Sequence, residues 1–357
     1  QAVFDYYGVQ RVSDMDELAT ALIMFAQTKQ TAEGGLVCLH DSGGERQLII
    51  DLADGLNVPL TELEETTITQ LKSILDPGLP AVNPLDGWGA GGVNATTNMA
   101  DCFLILLTDS EAAMGAVVHD RGPNSEIYSS YLDYLEEAQR ASGKPVFLVA
   151  NRQGSGADEL AITSTYRGMP VIDGVTQFLV GARCLLAYRD FQQLPVMKYD
   201  VIDEKKVDYW KRQLQDCDDV SESVASDLLS DFGIPMIQSL EVSSQDELQA
   251  AALNVGFPLV LKTAVRGINH KTEVGGVILD ISDQHQLQDA YQDLLQRLGP
   301  AVTVSPMADN SGVEMILGVS RDDQFGPTVV VGFGGIYAEI LSDVAGLLPP
   351  FDAAKVK

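Results

Sequence analysis

Cysteine, positive charge and long apolar runs are scarce in this sequence. Its four cysteines, at positions 38, 102, 184 and 217, stand far apart and form no C-x-x-C pair. That spacing suits a reducing compartment better than a disulfide framework or a zinc site, the cytoplasm being the expectation. No stretch approaches the ~20 consecutive apolar residues of a membrane-spanning helix, so no membrane partner is expected. Lys and Arg number 23 against 51 Asp and Glu, for a net charge of −28. Such a balance argues against polyanionic partners such as nucleic acid and anionic lipid. The phosphate-binding pattern G-x-x-x-x-G-K-[ST] is also missing. An anionic ligand would be repelled by the molecule as a whole. It must therefore be held by local backbone N–H groups and a few well-placed cations.

What is present begins with length: 357 residues suit two or three domains at roughly 100–200 residues each. From about 35 to 195, short apolar runs alternate with amphipathic stretches. "GLVCLH" (35–40), "AMGAVVHD" (113–120), "KPVFLVA" (144–150) and "MPVID" (169–173) read as buried strands. Helical patterns cover 43–56, 66–75, 129–142, 156–168 and 176–191. This alternation predicts an α/β layer with a doubly wound, flavodoxin-like parallel sheet. Residues 192–222 are charged and poorly periodic, and read as a connector with a short helix near 209–214. Helix, strand, Ser-capped helix and strand follow, then a glycine pair between two β-like segments, a helix over 283–298 and further strands. The expected division is 1–195, a linker at 196–220, and a second domain at 221–357. The opening without Met inside a helical pattern, and the closing "FDAAKVK", lead us to expect a fragment.

Several stretches could carry chemistry. Ser42, Gly43 and Gly44 lead from the end of a strand into a helix. They form either a tight turn or an anion cradle fed by the positive helix end. "NPLDGWGAGG" (83–92) displays Asn83, Asp86 and Trp88 as candidate acyl-substrate residues. Trp88 either lines such a pocket or folds back into the core. His119 ends a strand and "NRQGSG" (151–156) follows another, where a satisfied polar residue is the commoner case, and His40 and His285 read as structural. Lys262 closes the strand "PLVLK", and "VRGINHKTEVGGV" after it supplies Arg266, His270, Lys271 and the Gly275–Gly276 turn. A lysine at a strand end pairs with phosphate, glycine N–H groups can cover a polyphosphate, and a neutral histidine can accept a phosphoryl group. "VSPM" (304–307) is extended and could offer backbone groups to an adenine. Glu314, Glu339 and Asp343 offer carboxylates for ribose or Mg²⁺, or are simply surface acids.

The string "PLVLK…HKTEVGGV…VSPM…GVEMILGVSRDDQFGPTVVVGFGGIYAEILSDV" resembles the ATP-grasp domain of the ADP-forming acyl-CoA synthetases. "FDYYGVQRVSDMDEL", "SGGERQLIIDLA" and "NPLD" resemble the succinyl-CoA-ligase-like domain of the same enzymes. The resemblance implies a flavodoxin-type domain followed by an incomplete ATP-grasp α+β domain. It implies conversion of a small carboxylic acid, ATP and CoA to acyl-CoA, ADP and phosphate, through an acyl phosphate and a phosphohistidine relay, with Mg²⁺ as cofactor. The family's mobile-loop histidine and CoA-binding domain are expected outside this chain. By the same resemblance Lys262, Gly275, Gly276 and Glu314 bind ATP, and His270 is a catalytic phosphoryl acceptor. Ser42, Gly43 and Gly44 cradle the phosphohistidine, and Glu339 and Asp343 hold metal. The "NPLDGWG" version is similar to branches acting on ferulate or dimethylsulfoniopropionate, and a sulfonium would suit Trp88. A homo-oligomer, a dimer, is expected. Two other activities fit the scaffold: a protein lysine acyltransferase and a non-catalytic nucleotide or acyl-CoA sensor.

Overall fold

The computed structural model describes residues 1–357 apart from 29, 121–128, 155–158, 196–201, 216–219, 269, 310, 336–343 and 352–357. Its first elements are α1 (Ala2–Tyr7), α2 (Met15–Gln27), β1 (Gly35–His40), α3 (Gly43–Leu56), α4 (Glu65–Ile74), β2 (Leu85–Asp86), α5 (Ala95–Thr108) and β3 (Ala112–His119). Next come α6 (Ser129–Ser142), β4 (Val146–Ala150), α7 (Glu159–Tyr166), β5 (Val171–Asp173), α8 (Val175–Gln193), α9 (Glu204–Leu214) and α10 (Glu222–Asp231). The chain continues with β6 (Leu240–Val242), α11 (Gln245–Val255), β7 (Leu259–Thr263), β8 (Val277–Ile281), α12 (Gln284–Arg297), β9 (Val302–Pro306), β10 (Met315–Asp322), β11 (Gly326–Phe333) and β12 (Val344–Leu347). It forms two compact units, one of Gln1–Met197 with Gly318–Val330 and Ala345–Lys357, the other of Lys198–Leu317 with Val331–Val344. Among the described residues no helix is long and apolar enough to cross a membrane.

In the first unit a five-stranded parallel sheet has the order β2-β1-β3-β4-β5. Every residue of β1 and β3 is buried, because helices cover both faces and leave no position for a polar alternation. Successive side chains still part to opposite faces. Val37, Leu39 and Val117 join Met99 and Phe103 of α5 and Leu135 of α6. Leu36, Cys38 and Val118 join Ile49 of α3 and Phe178 and Leu185 of α8. Each such side chain, fully buried, contributes roughly 1.5–3 kcal/mol. Helix α2 crosses α8 closely at Gly181, where a Cβ would fall 2.3 Å from Met24 Sδ.

Two features depart from the sequence reading. The segment 83–92, read as a loop, contains the short strand β2, and α5 fills a stretch assigned no element. The order of the sheet positions the site. From β1 the chain turns to β2 on one side, while β3 leads to β4 on the other. The carboxyl ends of β1 and β3 therefore border the crevice where doubly wound sheets take ligands.

The second unit holds an antiparallel sheet of order β6-β9-β7-β8, with α11 and α12 supplying its core through Leu248, Ala252, Leu287, Tyr291 and Leu294. Ser244 caps α11 by accepting from the Glu247 N–H at 3.3 Å. Glu247 accepts in turn from the Ser243 N–H at 2.8 Å, so the helix start is fixed from both ends. Helix α9 occupies more of the expected linker than the short helix foreseen there. Strands β10, β11 and β12 make a separate three-stranded sheet.

Candidate functional site

At the carboxyl end of β1, Ser42 takes an extended conformation and α3 begins at Gly43. Ser42 makes no side-chain capping bond, so the first N–H groups of α3 stay free of that competitor. A Cβ on Gly43 would sit 3.4 Å from Asp86 Oδ2, which places Asp86 beside the helix start. Arg46 Nε donates to the Pro84 carbonyl at 2.8 Å and ties α3 to the β2 segment. Thus Ser42, Gly43, Gly44 and Asp86 are brought together.

The surroundings of that helix start are acidic. Tyr131 Oη donates to Asp41 Oδ2 at 3.3 Å, and Asn151 Nδ2 donates to Glu45 Oε1. Burial, with the neighbouring Asp41 and Asp120 charges, pushes the Glu45 carboxyl up to about 8, against the opposing Asn151 bond. Burial thus favours the neutral form of Glu45 and lowers the negative charge at the helix start. His40 closes β1 with a fully buried ring whose two nitrogens have no hydrogen-bond partner. Burial, then the Arg46 charge, pulls it down to about 3. His40 is therefore a neutral core residue. His119 lies beside Tyr131, ring centroids 5.2 Å apart.

The other residues of 83–92 do not share one role. Asn83 leaves the acyl-substrate set: its Oδ1 accepts from the Cys38 N–H at 2.9 Å, and its Nδ2 donates to the Leu36 and Thr61 carbonyls at 2.8 and 3.1 Å. That amide is committed to the backbone of β1. Trp88 is 37% exposed, so it has not folded back into the core. Its Nε1 lies 2.9 Å from where a Cβ on Gly91 would stand, so it rests on its own loop.

In the second unit, Lys262 lies near the end of β7, paired with Val277 of β8 and Thr303 of β9. Its Nζ is 3.2 Å from Glu222 Oε1, and Lys271 Nζ is 2.5 Å from Glu222 Oε2. Two clefts meet at Glu222 and Lys262. A polar one of about 560 Å³ is lined by Glu222, Lys262, His270, Lys271, Thr272 and Glu273. An apolar one of about 540 Å³ is lined by Leu229, Met236, Ile237, Val260, Leu279, Pro306 and Met307, with Glu222 and Lys262 at its edge. His270 is largely exposed on the polar rim, its Nδ1 3.9 Å from Glu273 Oε1.

Three candidates stand in this geometry otherwise than the sequence reading placed them. The Gly275 and Gly276 N–H groups do not face a ligand: they donate to the Thr272 and Lys271 carbonyls at 3.1 and 2.7 Å. Arg297 fastens the turn from outside, donating to the Val274 and Gly275 carbonyls at 3.0 and 2.9 Å. The pair thus serves as a turn that holds Lys271. Secondly, the backbone of "VSPM" is largely engaged, with Val304 and Ser305 in the sheet and the Met307 N–H on the Pro258 carbonyl at 3.0 Å. Pro306 and Met307 meet the apolar cleft as its lining instead. Thirdly, Glu314 lines neither cleft. Its carbonyl accepts from the Gly334 N–H at 2.7 Å, and its carboxylate fills the space over Gly335, where a Cβ would lie 2.4 Å from Oε2. Glu339 and Asp343 lie outside the described residues. Among the described residues no group of three His, Cys, Asp or Glu is placed to hold a metal ion. Glu222 was missed by sequence reasoning because it stands 40 and 49 residues from the lysines it joins.

Residues 215–357 match the family model of an ATP-grasp domain. Over 362 residues the chain is 26% identical to the ADP-forming acetate–CoA ligase I of Archaeoglobus fulgidus, an alignment covering 98% of this chain and 51% of that protein. It is 26% identical over 364 residues to the trans-feruloyl-CoA synthase of an unknown prokaryotic organism, covering 98% and 50%. A solved acetyl-coenzyme A synthetase of Ca. Korarchaeum cryptofilum, in complex with coenzyme A, is 28% identical with a TM-score of 0.37, over 42% of this chain and 68% of that one. The chain spans about half the length of the curated relatives it matches.

Proposed function

We propose, from its likeness to the ADP-forming acyl-CoA ligases, that this chain is part of an acid–thiol ligase of that family. It joins a small carboxylic acid to CoA at the expense of ATP, releasing ADP and phosphate through an acyl phosphate and a phosphohistidine. One observation carries the nucleotide half of this reading: Lys262 stands where an apolar cleft and a polar, lysine-bearing cleft meet. A purine fits the first through Leu229, Ile237, Val260, Leu279 and Met307, and its phosphates fit the second. Lys262 and Lys271 are placed to offset phosphate charge as point charges, a role lysine fills without the planar fork of arginine.

His270, exposed on the rim of the polar cleft, is the proposed phosphoryl acceptor within this unit. The start of α3 is the proposed cradle for a phosphohistidine, supported by its extended Ser42, its two glycines and a Glu45 whose neutral form burial favours. Asp86 and Trp88 remain the acyl-substrate candidates, and Trp88 keeps an exposed face for a bulky or cationic acid. Glu314 stays in the nucleotide reading as a residue held against Gly334–Gly335, and Glu339 and Asp343 are the proposed holders of Mg²⁺, which would offset phosphate charge. The proposed division is 1–195, a linker at 196–220, and an ATP-grasp part at 221–357. A cytoplasmic homodimer without nucleic-acid or membrane partners completes the proposal.

Thermal unfolding of the full-length protein with Mg-ATP tests it. At about a hundredfold excess over Kd, binding stabilises by about 2.7 kcal/mol, and the resulting rise in Tm is expected to vanish in Lys262→Ala. An equal rise in that variant removes Lys262 from the nucleotide site.

A further inference from the structure

The second unit contains a carboxylate where the nucleotide reading wants a phosphate. Ser221 caps α10 by accepting from the Val224 N–H at 3.3 Å, which puts Glu222 in the first helical turn. An acid at that position is ordinary, because the helix start is positive. Its partners are not ordinary. Lys262 comes from β7 and Lys271 from the turn before β8, and each takes a different oxygen of the one carboxylate, at 3.2 and 2.5 Å. Glu222 also lines both clefts, at the place where they join.

Resting on the nucleotide reading, we infer that Glu222 is a displaceable internal anion that occupies the phosphate position between Lys262 and Lys271 and makes the cleft selective for polyphosphates. Burial favours the neutral acid, but the Lys271 and Lys262 contacts outweigh it and hold the carboxyl below its ordinary range. The group is therefore a full negative charge that a ligand must move. An anion of one charge gains little by replacing a carboxylate of one charge between the same two lysines. A di- or triphosphate brings more charge and more acceptor oxygens, and reaches both lysines at once. Side chains that are a quarter to two-fifths exposed, as Lys271, Lys262 and Glu222 are, can part without emptying a core. In a molecule of net charge −28, this arrangement also keeps two lysines near each other while no ligand is bound.

Isothermal titration of the full-length protein, without divalent metal, tests the inference with inorganic phosphate, pyrophosphate, tripolyphosphate and ATP as probes. Glu222→Gln keeps the size of the side chain and removes its charge. It is expected to bind pyrophosphate and ATP about five- to thirtyfold more tightly than wild type. Binding of inorganic phosphate should rise by at least as much, so that the preference for the longer anions falls. Should Glu222→Gln unfold earlier than wild type by circular dichroism, Glu222→Asp supplies the second reading. Its shorter reach loosens the lysine contacts, and a smaller gain in pyrophosphate affinity is expected.

Unchanged or weaker binding in these variants overturns the inference, and weaker binding makes Glu222 a residue that positions the lysines for the ligand. The two readings part cleanly. If ATP binds wild type and Glu222→Gln equally, the nucleotide site stands and the internal anion does not. If pyrophosphate binding gains as expected but ATP binds no better than tripolyphosphate, the internal anion stands and the purine cleft does not. If neither protein takes any of the four probes, both fall.

Discussion

Asn83 shows how a residue offered for one task performs another. On the sequence it stands in a glycine-rich loop beside Asp86 and Trp88, and its polarity suggests substrate contact. In the fold its amide completes the hydrogen bonding of β1, accepting from Cys38 and donating to Leu36 and Thr61. Each such bond contributes about 1 kcal/mol net, and more when a buried partner is left unpaired. Asn83→Ala is therefore expected to lower stability by about 2–4 kcal/mol in urea unfolding. Its choice among carboxylic acids should be unchanged. A shifted acid preference at undiminished stability would return Asn83 to the substrate pocket. Lys262 and Lys271 were legible as cations near a glycine turn, since that much is local. Glu222 was not, because its significance lies in a contact between distant segments.

Elements were most legible where burial imposes a simple pattern. Strands β1, β3 and β4 are buried on both faces, so they appear as unbroken apolar runs. Helices α3, α6 and α12 show a polar face and end on recognisable signals. Strand β2 escaped notice because two residues between Asn83-Pro84 and Gly87 carry turn chemistry and no periodicity. The hairpin between β7 and β8 was found, but its glycines work differently from the expectation. Gly276 is packed so closely that an added Cβ would fall 2.6 Å from Thr263 Cγ2 and 2.9 Å from the Lys271 carbonyl. Gly276→Ala must therefore displace the segment that carries Lys271. We expect a loss of ATP affinity of about tenfold or more by titration, from misplacement alone. Retained affinity would mean that the turn does not position Lys271.

For the whole molecule, charge is the governing fact. With 51 acids against 23 bases, long-range electrostatics oppose any phosphorylated ligand, and screening weakens that opposition over about 8–10 Å at physiological salt. Recognition must then be local, and two features are proposed to serve it: a helix start beside Glu45, whose carboxyl burial pushes up, and a pair of lysines gathered on Glu222. The account depends most on the second, together with the apolar cleft that adjoins it. Photolabelling with 8-azido-ATP, followed by mass-spectrometric mapping, reports directly where the purine lies. The account predicts label on the segments around Met236–Ile237, Val260, Leu279 and Pro306–Met307, lost on competition with unlabelled ATP. Competable label confined to other segments would contradict it.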